Sequence, residues 1–520
     1  MPQSNAWFRN HALTSDSKIL KAEMSTVAVK SEPLPLNARA ASGRWWRLAD
    51  VAVFGAWLAV VGTVVKHHEP WADEAQSWLL ARDLDLKTLW FHELRYEGSP
   101  GLWQTILWAA QRWFHAPYAS LGMIGMLCAA AGVAFILWKS PFPRPVSYLL
   151  VFSYFISYQY AVVSRSYNLL PLLVFAAAYL YRDRDHPVRM TVVLILLANV
   201  AIHGILFAAS LGLCYLLEAV REWSALDKAV RRRYFYCIAA MLATLIFLVI
   251  ILMPTPDVKE FAASRPSVPL KLRFELAIGF TFLDQLAVSS LFLLVAGIWC
   301  FRRKHLLPFV LSLALLLSLF IMVHGVPHHS GTIFLAALSG LWIAWPTREE
   351  SQHSSPRDRL ATLGMSALLF WLLSVNTWDA AAAMRNDYLY SYSGSADAAR
   401  YLKQVGADKT TIFGYRYGVS AVEAYFDHNI LENMPTTYYH EGMPLTAAFL
   451  VVDELAAAAP EYVVLYSNAG SKVFRTFDPQ VRALGYSTVH VSRGRIFFKR
   501  FVFDTDDYYI YRRAGSGVVR

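Results

Sequence analysis

Between Leu48 and Thr377 the chain is a succession of apolar runs, each of spanning or near-spanning length. The first is Leu48–Val65, and the others fall at about 118–138, 146–162, 166–181, 189–203, 204–220, 234–253, 277–300, 305–323, 329–346 and 359–377. A helix crossing a bilayer needs about 20 apolar residues. A chain that repeats such runs has more apolar mass than its polar surface can cover in water. Apolar residues make up 56% of the 520, charged residues 17%, and the mean hydropathy is +0.35. Soluble domains carry about 25% charge. An ordinary soluble enzyme, a disordered chain and a disulfide-stapled secreted module are therefore excluded. Cys128, Cys214, Cys237 and Cys300 all lie in or at the ends of apolar runs, with no CxxC spacing, so no disulfide framework is implied.

The sequence thus predicts a polytopic α-helical membrane protein. Residues 1–47 read as a disordered cytoplasmic arm, and Leu48–Val65 as a retained signal anchor, too late and too long for a cleaved leader. Lysine and arginine prefer the cytoplasmic side of a membrane. The arm and the connections at 139–145, 182–189, 221–233, 301–305 and 346–359 hold 23 of them, against ten in the alternate connections. About 11 crossings then leave the N-terminus inside and residues 379–520 outside, as a soluble α/β domain following the membrane domain at 48–378. That tail holds 15 basic and 15 acidic residues. The net charge of +10 therefore lies along the membrane, and a nucleic-acid partner is not implied.

This parity forbids a crossing by Gly101–Phe114, which reads instead as an interfacial helix with its aromatic rings at headgroup level. The outside loop at 66–117 is rich in tryptophan and carboxylates, and Trp71–Arg82 has helical spacing with Asp73 and Glu74 in the first turn. Met190–Val220 must cross twice, with His203-Gly204 at the expected outer turn. In the tail, Ser395–Val405, Val419–Asp427 and Val451–Ala458 read as helices. Thr410–Phe413, Glu461–Tyr466 and Tyr486–Phe501 read as strands, with Arg493-Gly494 as a hairpin turn.

Four groups on the expected outer face could carry chemistry. Asp73 and Glu74 complement a helix dipole whatever else they do, and a carboxylate placed there could also act as general base on an incoming hydroxyl. Arg165, in Ser164-Arg165-Ser166-Tyr167, either snorkels between two helix ends or clamps a phosphate, for which its planar fork is suited. His203 is either a satisfied core histidine or a functional group retained at depth. His324, His328 and His329 in HGVPHHSG could meet phosphate, sugar or, less specifically, zinc. No glycine-rich phosphate loop and no fixed-period internal repeat is present.

Pro70-Trp71-Ala72-Asp73-Glu74-Ala75, then Tyr96-Glu97-Gly98-Ser99-Pro100-Gly101-Leu102-Trp103, then Ser164–Tyr167 and His203-Gly204, form a pattern that resembles the GT-C class of integral-membrane glycosyltransferases. It is closest to the branch of the protein O-mannosyltransferases and the transferase that adds aminoarabinose to lipid A. The resemblance covers roughly Leu48–Trp378. It implies a polyprenyl-phosphate sugar as donor and inverting transfer to a glycan, lipid or protein acceptor outside the membrane; the absence of any Asn-x-Ser/Thr sequon favours a bacterial inner membrane. Asp73 would be the base, with Glu74 orienting it or the acceptor. Glu97, Arg165, Tyr167, His203, His328 and His329 would bind substrate, the basic ones holding the leaving phosphate. No nucleotide site is required, no cofactor is specified, and a divalent metal ion beside Asp73 is left open. The competing expectations are a lipid or lipid-linked sugar flippase, marked by repeat symmetry and midplane charges, and a non-catalytic scaffold.

Overall fold

The structure is a computed structural model that describes residues 36–256, 269–322, 327–439, 452–468 and 473–515, so His324 and most of the N-terminal arm lie outside the described residues. The chain divides into two compact units, Met1–Ala52 and Val53–Arg520. The described part of the first unit is helical, and the site described below belongs to the second.

Helix α1 runs Leu36–Val65, starting upstream of the expected Leu48. Leu36–Arg47 contains three alanines and no proline, so nothing there halts a helix. Next come α2 (Ala72–Asp83), α3 (Leu102–Phe114), α4 (Leu121–Lys139), α5 (Arg144–Val151) and α6 (Leu170–Leu180). They are followed by α7 (Pro187–Ala198), α8 (Ile202–Arg221), α9 (Lys228–Ile251), α10 (Leu286–Arg302), α11 (Leu306–Met322), α12 (Ser330–Ala344) and α13 (Pro356–Leu389). Among the described residues, five segments are long and apolar enough to cross a membrane: Trp45–Val65, Tyr118–Lys139, Ile202–Arg221, Lys228–Ile251 and Pro356–Leu389. The other expected runs form shorter or interrupted helices.

The interruptions are local and physical. The 146–162 run stops as a helix at Val151 and continues through a wide turn at Phe155–Gln159, a form that recurs at functional sites. The 277–300 run becomes a helix only at Leu286. Before it, Glu275–Gly279 is another wide turn, and the Phe282 carbonyl is held by Asn376 Nδ2 of α13 at 3.0 Å. The turn between α7 and α8 falls at Asn199–Ala201, so His203 and Gly204 lie in the first turn of α8 rather than at the bend itself. Gly204 backs directly onto the Leu197 carbonyl, where a Cβ would collide, so the glycine serves close helix approach.

Helix α13 runs through the expected 378/379 junction without a break. Beyond it stand α14 (Ser395–Gln404), β1 (Ile412–Tyr415), β2 (Tyr462–Ser467), α15 (Val473–Ala483), β3 (Tyr486–Ser492), β4 (Arg495–Phe498), β5 (Phe501–Thr505) and β6 (Asp507–Arg513). The main sheet has the order β1-β2-β6-β3, with β1 and β2 parallel and the β2–β6 and β6–β3 pairs antiparallel. Arg493-Gly494 is therefore not the turn of a β3–β4 hairpin. Strand β3 pairs with β6, and β4 pairs with β5 in a separate two-stranded ribbon. Gly494 is needed because it lies against the backbones of Gly394 and Asp506, where a Cβ would come within 2.6–2.7 Å of main-chain atoms.

Candidate functional site

Helix α2 fixes the first part of the site. Pro70 and Trp71 lead into it in extended backbone, and the Trp71 N–H donates to Glu74 Oε2 at 3.2 Å. Asp73, one residue earlier, has a third of its side chain exposed. Its Oδ2 lies 3.1 Å from the Arg165 guanidinium. The same guanidinium nitrogen donates to His328 Nε2 at 3.2 Å. Arg165 also lies over the Tyr167 ring at 5.6 Å, and the Tyr167 hydroxyl meets His203 Nδ1 at 3.2 Å. The His203 and His329 rings are 5.0 Å apart and those of His328 and His329 4.4 Å, so the histidines are packed as a cluster. Six of the eight residues singled out in the sequence, Asp73, Arg165, Tyr167, His203, His328 and His329, thus form one connected group drawn from four stretches of chain.

His328 is half-buried beside Arg165, and desolvation first, then that positive charge, hold its imidazole well below the usual histidine pKa. With Nε2 accepting from Arg165, a neutral ring carries its proton on Nδ1. The guanidinium is the site's fixed positive charge.

Glu74 does something different. It is fully buried, and its Oε1 accepts from the Ser164 N–H at 2.5 Å while Oε2 accepts from His68 Nε2 at 3.0 Å. His68 in turn bonds Asp387 through Nδ1 at 2.7 Å, and the Tyr158 hydroxyl donates to the same Asp387 oxygen at 3.0 Å. Burial works against the His68 charge, but Asp387 and Glu74 outweigh it and hold the imidazole well above its usual pKa. This carboxylate–imidazolium–carboxylate chain locks α2 to the Ser164 turn and to the end of α13, and so sets the Asp73–Arg165 distance. Sequence reasoning missed His68 and Asp387. The only local signal was a polar His-His pair directly after the first apolar run. Glu97 stands apart, accepting from Gln76 Nε2 at 2.9 Å, one helical turn along α2 from Asp73.

A cavity of about 180 Å³ opens beside this group. Its lining includes Arg165, His328, Trp71, Tyr392, Tyr417, Phe497, Phe498, Phe503 and Asp504, but not Asp73. Burial first, then the nearby Asp73 carboxylate, push the Tyr417 phenol up to about 12. A larger cavity of about 840 Å³ lies behind α2, lined by Trp78, Arg82, Arg112 and Tyr118. Asp73 is not among its lining residues. Among the described residues no group of three or more His, Cys, Asp or Glu side chains is arranged to hold a metal ion.

No protein-family model matches the chain, and no curated protein matches it in sequence. Solved structures do. The crystal structure of ArnT from Cupriavidus metallidurans in the apo state superposes with a TM-score of 0.51 at 14% identity, covering 91% of this chain and 98% of that one. ArnT from the same organism bound to undecaprenyl phosphate gives 0.51 at 12% identity, with the same coverage. The chain therefore has the ArnT fold over most of its length, and the resemblance drawn from its motifs is borne out at the level of fold.

Proposed function

We propose that this chain is an integral-membrane glycosyltransferase that moves a sugar from a polyprenyl-phosphate donor to an acceptor on the extracytoplasmic side, with inversion. The observation that carries the reading is the contact of Asp73 with Arg165, whose side chain lines a cavity shared with several aromatic rings. A base and a phosphate clamp are thereby within one side-chain length of each other. The fold likeness to ArnT, one of whose structures holds undecaprenyl phosphate, supports the class of donor.

In this reading the Asp73 carboxylate takes the proton from the acceptor hydroxyl as its oxygen attacks the anomeric carbon. The bond from that carbon to the phosphate oxygen breaks, and its electron pair leaves on the polyprenyl phosphate. Charge on the phosphate grows during that step, so a guanidinium fixed beside it is worth more in the transition state than in the ground state. Arg165 fills that role, His328 keeps its fork oriented, and the His203–Tyr167 pair supports the ring on which Arg165 rests. A single displacement inverts the sugar. Glu74 acts through the backbone by holding Ser164, and Glu97 accepts from Gln76 on the same helix as Asp73.

The test is retention of undecaprenyl phosphate by the purified chain in detergent, read by native mass spectrometry. Wild type retains the lipid. Arg165→Gln, with charge-assisted bonds worth about 1.5–3 kcal/mol removed, holds it roughly tenfold or more weakly. Failure of the wild-type chain to retain it, or equal retention by Arg165→Gln, contradicts the proposal.

A further inference from the structure

The larger cavity, about 840 Å³, has no part in the proposed transfer, since neither Asp73 nor Arg165 is among its lining residues. Its position decides what can reach it. Val65 and Lys66 line it from the end of α1, and Ala119 and Gly122 from the start of α4. The apolar segments that end there, Trp45–Val65 and Tyr118–Lys139, are each long enough to cross a membrane. The cavity therefore lies where two crossings leave the hydrocarbon, at the depth of lipid headgroups. Gln111, Arg112 and His115 line it from the end of α3, and the neighbouring Trp113 and Phe114 are strongly exposed, as aromatic residues of a membrane interface are.

Its lining carries both signs of charge. Arg82 is already engaged by the Asp83 carboxylate at 2.6 and 2.9 Å. Arg112 donates to the Arg82 carbonyl at 3.1 Å, and among the described residues neither Arg112 nor Lys66 meets a carboxylate. Of the two lining acids, Asp427 is exposed and Glu69 is half-buried. Glu69 Oε2 and the Tyr118 hydroxyl are buried without a hydrogen-bond partner among the described residues, and unsatisfied groups of this kind call for a ligand or water. Burial, outweighing His68 and Arg400, pushes the Glu69 carboxyl up to about 7, so a further cation beside it would favour its charged form. Three lining rings pack in a row, Trp78 with Tyr118 at 5.7 Å and Tyr118 with Tyr425 at 4.9 Å, and aromatic faces attract an ammonium.

We infer that this cavity holds the headgroup of a membrane phospholipid of the phosphatidylethanolamine type, its phosphodiester against Lys66 and Arg112 and its ammonium against Glu69 and the Trp78, Tyr118 and Tyr425 rings. A free phosphate would answer the two cations and leave the acid and the rings without a partner. An anionic headgroup such as that of phosphatidylglycerol would likewise bring no positive charge to Glu69. Trp78 and Arg82 belong to α2, so the bound lipid braces the helix that carries Asp73 without entering the reaction.

The experiment reads retention by the full chain in detergent, by native mass spectrometry, with dioleoyl-phosphatidylethanolamine, dioleoyl-phosphatidylglycerol and soluble glycerophosphoethanolamine as probes. Wild type holds the phosphatidylethanolamine roughly tenfold more tightly than the phosphatidylglycerol, the difference one charge-assisted contact makes, and holds the soluble headgroup far more weakly than either. Glu69→Gln brings the preference between the lipids toward one. Arg112→Gln weakens both lipids about 3- to 10-fold and leaves undecaprenyl phosphate retention unchanged, whereas Arg165→Gln does the reverse. Arg232→Gln, at an exposed cation outside the cavity, changes neither. Glu69→Gln keeps the side-chain shape and Arg112 is exposed, and unchanged melting confirms that each variant is folded. Equal retention of the two lipids by wild type, a preference that survives Glu69→Gln, or a loss as large in Arg232→Gln overturns the site. Retention of glycerophosphoethanolamine as tight as that of the lipid overturns the membrane as its source. Loss of phosphatidylethanolamine in Arg165→Gln places that lipid at the phosphate site and overturns a separate cavity.

Discussion

Asp73 and Arg165, 92 positions apart in sequence, meet at 3.1 Å. The carboxylate that would take a proton and the guanidinium that would hold a phosphate are therefore a single contact before any ligand arrives. In the proposed mechanism an incoming phosphate competes with Asp73 for the same fork, which would free the carboxylate as the donor binds.

The fork's shape matters as well as its charge. One guanidinium nitrogen serves both Asp73 and His328. Arg165→Lys keeps the charge but loses the planar geometry. Retention of undecaprenyl phosphate should fall about 3- to 10-fold, between wild type and Arg165→Gln, equivalent to about 0.7–1.4 kcal/mol.

Adjacent acids should separate cleanly by stability. Glu74→Ala strands the His68 and Ser164 donors in a buried site, and breaking a buried ion pair by removing one partner costs about 3–5 kcal/mol. Asp73→Asn removes a partly exposed pair, worth about 1 kcal/mol or less. Thermal unfolding in detergent should therefore show a large loss of melting temperature for Glu74→Ala and little for Asp73→Asn.

His68 gives the fold a pH dependence whose direction is fixed by linkage. Its folded pKa is raised, by Asp387 and Glu74 overcoming burial, so the folded state binds the proton more tightly than the unfolded state. The contribution is fully present below the ordinary histidine pKa of about 6.5 and is lost as pH rises through the raised value. Melting temperature should decline with pH above about 6.5, and His68→Gln should flatten that decline while lowering stability at every pH. A wild-type profile that rises over that range contradicts the assignment.

Gly204 and Gly364 make a matched pair of helical glycines. A Cβ at Gly204 runs into the Leu197 carbonyl, whereas at Gly364 in α13 nothing lies within 4 Å. Gly204→Ala should destabilise by about 1–3 kcal/mol through overpacking. Gly364→Ala should be neutral or stabilising by up to about 1 kcal/mol. The first should also weaken lipid phosphate retention, because His203 is its neighbour in the turn, and the second should not.

What the sequence made legible follows from what periodicity and charge can encode. Apolar runs located the helices, and basic counts put Asp73, Arg165, His203 and His328 on one expected face before any contact was known. Their assembly into one group rests on contacts across 92 and 163 positions, which a shared face permits but does not specify. His68 and Asp387 were hidden because they pair across 319 positions, and such a contact leaves no local pattern. The β4–β5 ribbon was hidden for another reason. Its turn is Lys499-Arg500, with a lysine in left-handed backbone where turns ordinarily place glycine, asparagine or aspartate. The buried contact of Lys499 with Asp284 supplies what turn chemistry did not, so Tyr486–Phe501 read as one stretch interrupted at Arg493-Gly494. The α7–α8 bend was displaced in the same way, since Gly204 looked like a turn glycine and is a packing glycine.

The most direct measurement is mass spectrometry of cell-envelope glycolipids and glycoproteins in three strains: a deletion, a wild-type complement, and an Asp73→Asn complement at matched protein level. The account predicts that one glycan loses a single sugar in the deletion, regains it with wild type, and stays without it in Asp73→Asn, since loss of a general base lowers turnover by about 10²–10⁴-fold. The mass difference would identify the sugar. Restoration of the full profile by Asp73→Asn would contradict the account, because the carboxylate at the centre of the site would then have no part in the transfer.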